Sequence, residues 1–233
     1  MAHAPPLKIA AQHPAVARVA PFAAFVALLG LASLFASTGA VDADDLRWLH
    51  LARGGAAALL LAFFWRRYVE LLAPARCTAS EWLLAIAAGL VVFVVWIQLD
   101  RGWATLGGGG PGFDPSGPDG RIDPLIAGLR LASLALVVPV MEELFWRSFL
   151  LRWLDAPAFA SADPRRTSLR AFVLVAVLFA LEHDLWLAGL ISGIVYNALY
   201  VRTGRLWVPI AAHAVTNGAL GIWILSTRSW HLW

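Results

Sequence analysis

The C-terminal half of the chain holds four side chains that together could activate a water molecule: Glu142, His183, His213 and Asn217. They stand in Met141-Glu142-Glu143-Leu144-Phe145-Trp146-Arg147, in Phe179-Ala180-Leu181-Glu182-His183 and in His213-Ala214-Val215-Thr216-Asn217. Each segment is set in a long apolar run. Taking a carboxyl group out of water raises its pKa toward neutrality, the working range of a general base. A carboxylate and an imidazole that meet in an apolar cavity can therefore hold and deprotonate a water. His213 and Asn217 are four residues apart and project from one helix face. From there they can support the oxyanion formed when water attacks a carbonyl. The chemistry this assembles is hydrolysis of an amide bond. Serine or cysteine nucleophiles rank below it, because no Gly-x-Ser-x-Gly elbow is present and the single cysteine, Cys77, falls in a loop away from the site.

Glu142, His183 and His213 also make a His₂Glu set, the three-ligand arrangement of many catalytic zinc sites. The His-Glu-x-x-His helix that usually carries such a set is missing. Water activation by glutamate and histidine without a metal is thus the preferred reading, and Zn²⁺ the alternative.

Helix geometry divides the acidic pair. Glu143 and Arg147 share a face and can neutralise one another, whereas Glu142 points about 100° away with Trp146 on its own face. Pro139 can bend the helix and open room beside Glu142. The competing structural reading is one buried ion network of Glu142, Glu143 and Arg147 that fixes helix register. Each histidine likewise has a reading as a neutral imidazole bonded to a backbone carbonyl. Gly189-x-x-x-Gly193 with Tyr196, Asn197 and Tyr200 reads as helix packing plus an aromatic belt. Glu182 and Asp184 read as solvated or orienting groups.

The elements that must position these residues follow from composition. Hydrophobic residues make up 60% of the 233 and charged residues 14%, against about 45–50% and 25% in soluble domains. A soluble enzyme is close to excluded, and 12 Trp with 12 Phe exclude a disordered chain. Spans are expected at 19–38, 46–65, 81–99, 124–151, 169–183, 185–201 and 206–225, with 107–120 a Gly/Pro-rich loop. The expectation is an all-α polytopic transmembrane bundle of about seven spans, six to eight. Its parts are an N-terminal inner segment 1–18, three helices and an outer loop over 19–123, and a core over 124–233.

With the N-terminus inside, 11 basic residues fall on the inner side and four (Arg47, Arg101, Arg121, Arg228) outside. Cleavage of the first run as a signal peptide, near Ala36–Ala40, would invert that count. The basic residues are scattered, which gives no reason to expect a nucleic-acid partner. Counted at 1.5 Å per residue from the inner arginines, the four site residues stand at about 12–20 Å, one narrow band near the midplane.

Glu142-Glu143-x-x-x-Arg147, Phe179-x-x-x-His183 and His213-x-x-x-Asn217, in that order, resemble the CAAX prenyl protease and bacteriocin-processing (CPBP) family of intramembrane endopeptidases. Gly189-x-x-x-Gly193-x-x-Tyr196 is similar to that family's glycine-rich helix, and the likeness covers roughly residues 124–225. It implies an all-α endopeptidase that cleaves near a substrate C-terminus or in a membrane-proximal peptide. Glu142 and His183 would activate water, His213 and Asn217 would serve the oxyanion or bind the site, and Glu143 with Arg147 would hold the first motif's shape. The implied partners are membrane lipids and a membrane-associated protein or lipopeptide substrate. The chain has 17 Arg and one Lys, Lys8, a usage typical of a GC-rich genome, so the expected location is a bacterial inner membrane. The alternative is a non-catalytic membrane scaffold, immunity or transport protein, and a lipid-processing enzyme is a third reading.

Overall fold

The computed structural model describes residues 13–38, 43–72, 77–106 and 112–233. Among them seven long helices account for the fold: α1 Pro14–Thr38, α2 Ala43–Phe63, α3 Ala79–Gln98, α4 Pro124–Trp153, α5 Leu169–Leu181, α6 Trp186–Thr203 and α7 Trp207–Thr227. Local chemistry sets several boundaries. Thr78 and Glu81 form a reciprocal capping box at the start of α3, and Asp123 caps α4 ahead of Pro124. Ser168 caps α5, and Gly204, at φ +68°, ends α6 in the left-handed conformation.

All-helical architecture is as expected; the number of spans is not established. Four helices are long and apolar enough to cross a membrane: Pro14–Phe35, Ala79–Gln98, Pro124–Trp153 and Trp207–Thr227. The 13 residues of α5 reach only about 20 Å at 1.5 Å per residue. That is short of a hydrocarbon core of about 30 Å.

Two helix boundaries differ from the expected spans. α1 begins at Pro14, five residues before the expected span 19–38, so Arg18 stands within the helix; residues 1–12 lie outside the described set. Arg18 is buried there because it has partners: Nε and Nη2 donate to Glu70 at 2.9 and 2.6 Å, and Nε also to Ser148 Oγ at 2.8 Å. α5 stops at Leu181, so His183 stands in the turn to α6 and not within a helix 169–183. Its backbone N–H donates to Ala180 O while the ring Nδ1 meets Phe179 O at 2.8 Å. A side chain thus replaces a backbone donor at the helix end.

α4 is the axial element and touches α1, α2, α5 and α7. Its hydrogen bonding loosens into π-helical turns at Ser133–Val137 and Leu144–Leu150, on either side of Pro139, Glu142 and Glu143. The remaining helices approach closely through glycine. A Cβ at Gly193 would lie 3.1 Å from Ala176 Cα in α5, and one at Gly89 would lie 2.8 Å from Val215 Cβ in α7.

The distribution of polarity is that of a protein in lipid. Glu143 and Arg147 have no exposed surface, while Leu59, Phe63, Leu136 and Leu169 are each more than two-thirds exposed. Charges sort to two ends. Arg18–Glu70 and Arg205–Glu81 pair at one end, and His231–Asp100 and Arg47 to Ser116 O at the other.

Candidate active site

Three helices and one turn deliver the site. α4 brings Glu142, Glu143 and Arg147, the turn after α5 brings His183, α6 brings Tyr196 and Asn197, and α7 brings His213, Thr216 and Asn217. Glu142, His183, His213 and Asn217 all line one cavity of about 980 Å³, together with Trp96 and Tyr196. Glu143 and Arg147 do not line it and sit behind it with no exposed surface.

The acidic pair divides as its spacing predicts. Glu143 Oε1 accepts from Arg147 Nη1 at 3.0 Å and contacts His213 Nδ1, also at 3.0 Å. Arg147 continues to Asn197 Oδ1 at 3.0 Å and Gly193 O at 3.4 Å, with its guanidinium 4.4 Å over the Phe179 ring. The structural ion network therefore exists, but it recruits Glu143 and leaves Glu142 out. Glu142 Oε2 is buried with no hydrogen-bond partner, and His213 Nε2 lies 3.9 Å from it. One imidazole thus spans two carboxylates, bonded to the first and facing the second.

The two histidine rings are fixed in different ways. A carbonyl only accepts, so the 2.8 Å contact with Phe179 O puts a proton on His183 Nδ1 and leaves Nε2 of the neutral ring as an acceptor. Trp96 packs edge-on against the His183 ring at 5.3 Å. Tyr196 stacks on His213 at 5.0 Å and 21°, and its hydroxyl donates to Thr216 Oγ1 at 2.8 Å. Asn217 Nδ2 donates to Leu134 O at 2.9 Å, a carbonyl of the first π turn. An amide nitrogen has two hydrogens, so the second remains unbonded among the described residues.

Among the described residues no three His, Cys, Asp or Glu side chains are grouped to hold a metal ion.

Sequence spacing did not single out several supporting residues. Tyr196 and Asn197 read as packing, yet one stacks on His213 and the other anchors Arg147 while donating to Phe172 O at 3.0 Å. A buried amide one helical turn beyond Gly193 was the available signal for Asn197. Glu182 accepts from Trp146 Nε1 at 3.2 Å and also lines the cavity, which places an orienting contact on the face shared by Glu142 and Trp146.

Fold and site together define an all-helical integral membrane protein with a buried glutamate–histidine site on its axial helix. Residues 124–219 match the family model described as Type II CAAX prenyl endopeptidase Rce1-like. This segment runs from α4 into α7 and contains the Glu142-Glu143-x-x-x-Arg147, Phe179-x-x-x-His183 and His213-x-x-x-Asn217 motifs. No curated protein and no solved structure matches the chain.

Proposed function

We propose that the protein is an intramembrane endopeptidase that hydrolyses a peptide bond of a membrane-associated protein or lipopeptide with a water activated by Glu142 and His183. The observation that carries this reading is the shared cavity, onto which three separated chain segments bring Glu142, His183, His213 and Asn217. The unbonded Glu142 Oε2 is free to take a proton from water. His183 Nε2, bare in the tautomer fixed by Phe179 O, accepts the water's other hydrogen. Glu142 and His183 so orient an oxygen lone pair toward the scissile carbonyl.

As that carbonyl becomes an oxyanion, the second N–H of Asn217 and Nε2 of His213 face it as donors. To donate through Nε2 the His213 ring must carry both protons, a charge that the Glu143 carboxylate meets at Nδ1. Glu142 then returns its proton to the leaving amine. Arg147 and Asn197 position Glu143 and do not touch substrate.

We propose that the N-terminus lies inside, on the strength of the loop-charge count of 11 to four, and that the membrane is a bacterial inner one, on the strength of 17 Arg against a single Lys. The test is a mass-spectrometric comparison of membrane-protein termini from cells carrying wild type or His213→Ala. New C-termini that depend on His213 are expected. Identical termini in the two strains would remove the hydrolytic reading and favour a non-catalytic membrane module.

A further inference from the structure

The cavity holding Glu142 continues between α2 and α4 to a second polar group that hydrolysis does not use: Arg53, Arg130 and His50. Arg53 is 6% exposed and Arg130 4%. Their Nε atoms are buried with no partner, and neither guanidinium forms a hydrogen bond or ion pair with any described residue. His50 Nδ1 is also buried without a partner. Each guanidinium carbon stands over a phenylalanine ring, Arg53 at 4.7 Å from the Phe25 centroid and Arg130 at 5.0 Å from that of Phe113. His50 packs edge-on to the same Phe113 ring at 5.8 Å. The helices are in contact here, since a Cβ on Gly54 would overlap Ser133 Oγ one turn after Arg130. The carboxylate at this end of the cavity, Asp114, is turned to its own loop, where Oδ1 accepts from Ser116 N at 2.8 Å.

Two buried guanidiniums without a counter-charge are costly, and an anion between them relieves that cost. Their N–H edges have no partner among the described residues, and such edges match a planar carboxylate. We propose that Arg53 and Arg130 bind the free C-terminal carboxylate of the peptide substrate, an inference that rests on the endopeptidase reading of the same cavity. A lipid phosphate is the lesser fit, because Arg130 lies six residues inside α4, about 9 Å below its first residue. From Arg130 to Glu142 is 12 residues, about 18 Å of helix. An extended peptide at about 3.3 Å per residue covers that distance in roughly five residues.

The test uses an N-terminally fluorescein-labelled apolar decapeptide, with a free carboxylate or a C-terminal amide. Its binding to full-length Glu142→Gln protein in detergent micelles is read by anisotropy. The free acid is expected to bind about 10- to 100-fold more tightly, as for a charge-assisted hydrogen-bonded pair. Adding Arg53→Gln or Arg130→Gln should bring the acid to the affinity of the amide, and Arg130→Lys should keep part of the difference. Equal affinity for acid and amide without any arginine change overturns the proposal, as does failure of both peptides to bind. It is also overturned if acid and amide bind equally while phosphatidylglycerol, but not phosphatidylcholine, is retained in an Arg53- and Arg130-dependent way. Acid preference in a protein that cleaves nothing would sink the hydrolase reading and leave the carboxylate site standing.

Discussion

Arg147→Met keeps a long unbranched side chain and deletes a guanidinium that has no solvent exposure. Glu143 is then left as a buried carboxylate, with Oε1 keeping only His213 Nδ1 and Oε2 already unpartnered. Breaking a buried ion pair by removing one partner costs about 3–5 kcal/mol. The lost bonds to Asn197 and Gly193 O and the cation–π contact at 4.4 Å put the expected value in the upper half of that range. Neutralising the stranded carboxylate with Glu143→Gln should return about 1–3 kcal/mol in the double variant, the desolvation penalty of an unsatisfied buried group. Unfolding in mixed detergent micelles, followed by tryptophan fluorescence, reads all three variants and gives the coupling directly. If Arg147→Met lies within about 0.5 kcal/mol of wild type, or the two substitutions add without coupling, the network does not bear on stability and its assignment fails.

Three other expectations concern parts of the fold outside that network. Burial alone would raise the Glu70 carboxyl, but its bonds to Arg18 and Ser148 outweigh burial and hold it below the usual 4.5. A depressed carboxyl contributes stability at neutral pH that is lost as pH falls through about 4.5 and below, so Glu70→Gln should flatten that acid limb of the stability profile. An acid limb of the same slope in both proteins would rule Glu70 out as its source. Gly89→Ala puts a methyl 2.8 Å from Val215 Cβ and against Ala212 O, and should destabilise by about 1–3 kcal/mol; a melt unchanged from wild type would show that α3 and α7 can part. Purified enzyme should keep its cleavage rate after 1,10-phenanthroline treatment and dialysis, and activity lost and then restored by zinc would return the metal reading.

The pairing on the axial helix was legible in the residues, because i, i+4 spacing fixes which carboxylate can reach Arg147. The common depth of four polar groups, counted along helices, anticipated that they would line one cavity. Other features depend on tertiary structure that periodicity does not carry. Nothing in Ser133–Val137 announces a π turn, because the loosened carbonyl of Leu134 is recognisable only when Asn217 of α7 is bonded to it. Arg18 looked like a loop charge because its partners Glu70 and Ser148 lie 52 and 130 residues away. Asn197 and Tyr196 were read through their glycine neighbours, which do pack as helix contacts, and the same turn of α6 also serves the site. The number of spans is the least legible feature, since apolar runs of 13 to 18 residues suit a helix that enters a membrane as well as one that crosses it.

The central claim, that Glu142 takes the proton of the attacking water, is tested most directly by the single-turnover cleavage rate of purified Glu142→Gln protein. The measurement is made on a peptide whose cut the wild type makes, with folding checked by the melting curve. An amide cannot act as a base, so the rate should fall by about 10²- to 10⁴-fold with little change in melting. Cleavage at the wild-type rate by a well-folded Glu142→Gln protein would contradict the account.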